Sequence, residues 1–101
     1  MLTAVQVRET QLPTTFMRQA YNQSQVNDLI DRIAATLSAY ELDMATLPSR
    51  AVTASEVLNY RFDSVRFAKG YDRLAVNDLL HQAAKVLGAW EKRYANNLKF
   101  A

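Results

Sequence analysis

Aromatic rings and cations interleave between residues 60 and 73, at Tyr60, Arg61, Phe62, Arg66, Phe67, Lys69, Tyr71 and Arg73. That mixture suits single-stranded nucleic acid, whose bases stack on rings while cations meet the phosphates. Asp63 and Asp72 dilute the charge, and the formal net charge is only +2, so nucleic acid is not the partner expected. The acids with a neighbouring amide, Asn27-Asp28 and Asn77-Asp78, are read as first-turn residues that complement a helix dipole rather than as catalytic carboxylates. His81 has no second histidine and no cysteine to join it, so no metal site and no cofactor are expected. No Ser-His-Asp set, phosphate-binding glycine loop or perturbed acid pair stands out, and the reading is a protein that is not an enzyme.

The elements that would carry these residues are helical. Only two glycines and two prolines occur in 101 residues, which favours long helices. Thr3-Ala4-Val5-Gln6 and Thr53-Ala54-Ser55-Glu56 fit the capping box and predict short helices over 4–9 and 54–59, with Val7 and Val57 inward. Residues 10–20 and 60–70 have no helical period and read as loops or short extended pieces, Gly70 supplying a turn of positive φ. Asn22 and Asp72 are good N-caps for a second helix, and Gln25 repeats the box. Beyond them apolar residues recur in steps of four and three: Val26, Ile30, Ile33, Leu37, Tyr40, Met44 and Leu47, then Val76, Leu80, Ala83, Leu87, Trp90 and Tyr94. Such steps mark a coiled-coil seam. Pro48 is expected to end the first long helix, and the second to fray near Asn96-Asn97. The connection is long enough to bring the second long helix back beside the first in parallel; antiparallel pairing, or a homodimer through Tyr40, Trp90 and Tyr94, is also open.

The two halves are related. Shifted by fifty residues, 1–50 and 51–100 align without a gap and share Thr3/Thr53, Ala4/Ala54, Val7/Val57, Tyr21/Tyr71, Val26/Val76, Asn27/Asn77, Asp28/Asp78, Leu29/Leu79, Ala34/Ala84, Leu37/Leu87, Ala39/Ala89, Glu41/Glu91 and Ala45/Ala95. The expectation is therefore all-α: repeats over 1–50 and 51–101 sharing one core, each a short helix, a loop and a long helix, with the long helices paired as a coiled-coil-like pseudo-dimer. Tyr21 and Tyr71 are read as staples that pack on the first helical turn, and Tyr40 and Trp90 as core partners. Absence of cysteine fits a cytoplasmic setting, and neither a signal peptide nor a spanning segment is expected.

Residues 62–72 followed by Val76-Asn77-Asp78-Leu79-Leu80 carry a resemblance. Gly70-Tyr71-Asp72 and the Val-Asn-Asp-Leu-Leu start resemble the DivIVA domain, with Leu79 where that family usually has Phe. Ala20-Tyr21-Asn22 and Val26-Asn27-Asp28-Leu29-Ile30 form a more degenerate copy. The resemblance implies a bacterial scaffold of cell division or wall growth, helical, with parallel coiled coils, that binds membranes or division and wall-synthesis proteins through its loop end. The family's long coiled-coil tail has no counterpart within these residues. In membrane-binding members an exposed aromatic beside a cation enters lipid; the matching positions are Phe16, Met17 and Arg18, and Arg66, Phe67 and Lys69. One buried ring is worth about 2–3 kcal/mol and each cation about 1 kcal/mol on an anionic membrane. The alternative for these rings is to cap the core. The reading is an interaction or scaffold module that binds a protein partner or an anionic membrane surface, cytoplasmic or peripheral at the inner face of the membrane. The other reading is a purely structural oligomerisation module acting through the seam.

Overall fold

In a computed structural model, residues 2–16, 20–43, 46–65 and 68–99 are described. The short helices lie where the capping boxes put them, α1 over Ala4–Glu9 and α3 over Ala54–Asn59. In each the threonine Oγ1 accepts from the N3 amide, and the N3 side chain accepts from the threonine amide (Thr3 with Gln6, Thr53 with Glu56). Six residues do not hold a helix in water. Val7 and Val57, both buried, dock α1 on α2 (Gln23–Glu41) and α3 on α4 (Arg73–Lys99). A carboxylate fixes each start: Glu41 Oε2 accepts from the Ala4 amide at 2.9 Å, and Glu91 Oε2 from the Ala54 amide at 2.7 Å.

The long helices begin at Asn22 and Asp72, whose side chains accept from the Gln25 and Ala75 amides. They run in parallel, because equivalent residues meet at both ends. Tyr21 Oη donates to Asn77 and Tyr71 Oη to Asn27 near the helix starts, while Tyr40 stacks on Trp90 (5.7 Å between centroids, 4° between planes) at the far end. Between them Val26, Leu29, Ile33, Leu37, Val76, Leu80, Ala83 and Leu87 join one core with Val7 and Val57. The molecule is elongated, 53 × 23 × 23 Å.

The all-α expectation is overturned by a four-stranded antiparallel sheet at the N-terminal end of the long helices. Its strands are β1 (Thr14–Thr15), β2 (Ala20–Tyr21), β3 (Ser64–Val65) and β4 (Gly70–Asp72), in the order β1-β4-β2-β3. The fold is mixed α/β, and it is not a pure coiled coil. Each outer strand pairs with the other half of the chain: Thr14 faces Tyr71 and Thr15 faces Gly70, while Ser64 faces Tyr21 and Val65 faces Ala20. In the middle Tyr21 faces Tyr71. Asn22 N donates to Asp63 O and Asp72 N to Pro13 O, extending the exchange by one bond on each side.

Other expectations change with it. α2 stops at Glu41, seven residues before Pro48, with Leu42 as C-cap and Asp43 at φ 53°. Leu47 is thus in the linker and 37% exposed, and Met44 lies outside the described residues. α4 continues to Lys99, past Asn96-Asn97. Gln25 closes no second box; its amide pairs with Asp63, Nε2 to Oδ2 at 2.9 Å and Asp63 N to Oε1 at 2.7 Å. Asn27-Asp28 and Asn77-Asp78 sit one turn beyond the first, and Tyr21 and Tyr71, each just before its helix cap, are strand residues half-buried against the core. Gly70 is also in a strand, not at a positive φ.

Candidate functional site

The sheet end and a cleft beside α1 each have a shape that could receive a partner. The first is the sheet end. β2 leads through Asn22 into α2, and β4 runs directly into α4, so both helix N-termini point this way and carry their positive dipole ends. Phe16 follows β1 and is 57% exposed; Leu74, in the first turn of α4, is 74% exposed; Lys69, just before β4, is exposed. Of the remaining loop residues singled out in the sequence, Met17, Arg18, Arg66 and Phe67 lie outside the described residues.

The interleaved rings of 60–73 have another use. Tyr60, Phe62 and Tyr71 are half-buried against the core. The Tyr60 and Phe62 rings lie 4.7 Å apart and Phe62 lies 4.9 Å from Tyr21, within the range of favourable aromatic pairs.

The second region is a cleft of about 590 Å³ between α1, the segment after it, α2 and Tyr71. Leu12, Ile30 and Tyr71 give it an apolar side. Arg8 and Asp31, an ion pair of 3.2 Å with both side chains more than half exposed, stand at its rim. It exists because the halves differ. Thr10 and Leu12 take the positions that Tyr60 and Phe62 hold in the other half, where Phe62 packs on Tyr21 and Tyr60 on Phe62. Asp31 likewise stands where the other half has His81. The cleft was not anticipated from sequence, although the repeat alignment carried the signal: an aromatic pair in one copy, a threonine and a leucine in the other.

Of the seam residues, Val26, Ile33, Leu37, Val76, Leu80 and Leu87 are buried, while Ile30, Tyr40 and Trp90 are partly buried. Tyr94 is 37% exposed and meets Tyr40 edge-on at 6.2 Å, and the Arg93 guanidinium lies 5.3 Å over the Trp90 ring. Burial, with Glu91 and then Tyr94 alongside, raises the Tyr40 hydroxyl above the usual tyrosine value. Tyr40 and Trp90 occupy each other, leaving Tyr94 as the exposed member of this group. His81 is exposed. Among the described residues no group of three or more histidines, cysteines or acids could hold a metal ion, and no helix is long and apolar enough to cross a membrane.

No family model matches the chain, and no curated protein or solved structure shows significant similarity to it. The class defined here is therefore architectural: a small α/β protein whose two halves exchange strands in one sheet.

Proposed function

We propose that this chain is a non-enzymatic interaction module, of the scaffold kind that its resemblance to DivIVA domains implies, serving bacterial division or wall growth. It works at the inner face of the membrane, and its sheet end makes the contact. The observation that carries this reading is the strand exchange. Because each half's strands flank a strand of the other half, the two loop segments start from one platform. They therefore act together, as membrane attachment by two weak signals requires. The exposed Phe16 and Leu74 supply apolar surface, and Lys69 with the two helix N-termini favours an anionic partner. Tyr40 and Trp90 stack within the chain, which argues against the seam as an oligomerisation surface.

Co-sedimentation with vesicles containing anionic phospholipid tests this, beside a Phe16→Glu/Phe67→Glu variant whose helicity is unchanged. Losing about 2–3 kcal/mol for even one ring lowers binding by more than roughly thirtyfold. A parent protein that stays in the supernatant at low salt would sink the membrane contact.

The cleft supports a second contact, with a protein partner. Its filled counterpart in the other half holds two rings spaced i, i+2 from an extended segment, and the open copy offers Tyr71 and Leu12 to such a segment. A Leu12→Phe variant, which refills the slot, is expected to abolish peptide capture while leaving vesicle binding intact.

A further inference from the structure

α2 and α4 carry equivalent faces that are covered on one helix and largely exposed on the other. On α2 the linker between the halves lies against the helix. Arg50 Nη2 reaches both oxygens of Asp28 at 3.0 and 2.8 Å, Arg32 Nε donates to the Arg50 carbonyl at 3.0 Å, and the Val52 amide donates to Thr36 Oγ1 at 3.0 Å. The turn Pro48–Ala51 closes the strap, with Ala51 N on Pro48 O at 3.0 Å. Along this side of α2 Asp28, Arg32 and Ala35 are half-buried and Thr36 and Ala39 are buried.

The corresponding residues of α4 are Asp78, Gln82, Lys85, Val86 and Ala89. All but Val86 are exposed; Ala89 lies open where Ala39 is 2% exposed. Leu2 stands in the alignment where Val52 does, and with Gln82, Lys85, Val86 and Ala89 it lines a groove of about 370 Å³. Asp78 accepts from Gln82 Nε2 at 3.1 Å. We propose that this face of α4 docks an extended peptide segment of a partner protein, with an arginine on Asp78 and small apolar residues in the groove, as the linker sits on α2. The linker is the template for the ligand: one cation for the acid, a peptide carbonyl for a side-chain donor, and a narrow apolar stretch over an alanine-rich surface. Lys85, where α2 has Ala35, supplies the carbonyl donor that Arg32 provides on α2, since Gln82 is engaged with Asp78. The site is separate from the sheet end and from the Leu12 cleft.

The probe is a synthetic peptide with the sequence of residues 46–53, titrated into the full isotope-labelled chain and followed by amide chemical shifts. The expected result is a set of shifts over residues 78–89 and at Leu2. Asp78→Asn in the protein, or alanine for arginine in the peptide, weakens binding about two- to fivefold, as fits an exposed ion pair. Ala89→Glu, a change at an exposed position that fills the groove, abolishes it. Three results would overturn the proposal: no shifts on α4 at millimolar peptide, equal binding by the peptide without arginine, or shifts confined to Thr36 and Val52 as the peptide displaces the linker. None of these bears on vesicle binding through Phe16, so the two readings stand or fall apart.

Discussion

Gly70 sits at a close approach between the two halves, with Val65 of its own half also near. A Cβ there would lie 2.7 Å from Ala20 Cβ, 2.7 Å from Val65 Cγ2 and 2.8 Å from Tyr21 O. The sequence drew attention to this glycine for its freedom to turn, but what the fold uses is its lack of a side chain, a need visible only when the facing strand is known. Gly70→Ala is expected to destabilise the protein by about 1–3 kcal/mol, the usual range for overpacking, in urea unfolding. Adding Ala20→Gly removes one of the three close contacts, so the double variant recovers part of the loss; no recovery would show that Ala20 is not the obstacle. Tyr40 gives a second residue-scale expectation. Its raised pKa, due first to burial, then to Glu91 and Tyr94, means that the fold favours the neutral phenol. That contribution is whole below the unfolded value of about 10 and is lost as pH rises through the folded pKa. Unfolding followed above that pH should therefore show stability falling less steeply in Tyr40→Phe than in the parent, and identical slopes would remove the argument.

The short helices show what local sequence can specify and what it cannot. Each capping box is closed within four residues, so Thr3 and Thr53 marked the starts of α1 and α3 without knowledge of the rest. The clasp that keeps them in place is not local. Glu41 and Glu91 were visible as identities between the halves, yet their role as acceptors for Ala4 and Ala54, each 37 residues away, needs the packed structure. A carboxylate on a helix N-terminus contributes through both the hydrogen bond and the dipole. Glu91→Gln should cost about 0.3–1 kcal/mol and Glu91→Ala about 1–3 kcal/mol. Amide exchange should accelerate in α3 well before α4; uniform acceleration would mean that the clasp is not specific to the short helix. The strands were illegible for the same reason in stronger form. Segments of two or three residues have little preference of their own and are defined by partners roughly fifty residues off, so Thr14–Thr15 and Ser64–Val65 read as loop or short extended pieces with no sheet to place them in. Gln25 misled because its amide had a local partner to suggest and a distant one, Asp63, that it takes.

At the scale of the molecule, the exchange of strands makes each half dependent on the other. Among the described residues β1 pairs with β4 and β3 with β2, each a strand of the other half, and Tyr21 and Tyr71 each find their acceptor, Asn77 or Asn27, across the division. The pattern is that of two interlocked copies joined by a linker, which supplies the partner at high effective concentration and so favours closure within one chain over association between chains. Cutting the linker would convert the same contacts into a dimer interface, and the two halves should not behave alike. Two copies of residues 51–101 would bring Gly70 beside Gly70, diagonal to the central tyrosine pair, leaving the crossing open. Two copies of residues 1–50 would bring Ala20 beside Ala20 on that diagonal, where the room for a second Cβ is missing; that overpacking costs about 1–3 kcal/mol. The second half is therefore expected to fold as a homodimer, the first to stay largely unfolded alone, and an equimolar mixture to form the heterodimer that reproduces the parent. Sedimentation equilibrium with far-UV circular dichroism distinguishes these states. If residues 51–101 fold as a monomer, the exchanged strands are not what holds the halves together. If residues 1–50 dimerise as tightly as residues 51–101, the crossing at Gly70 does not set which halves can pair.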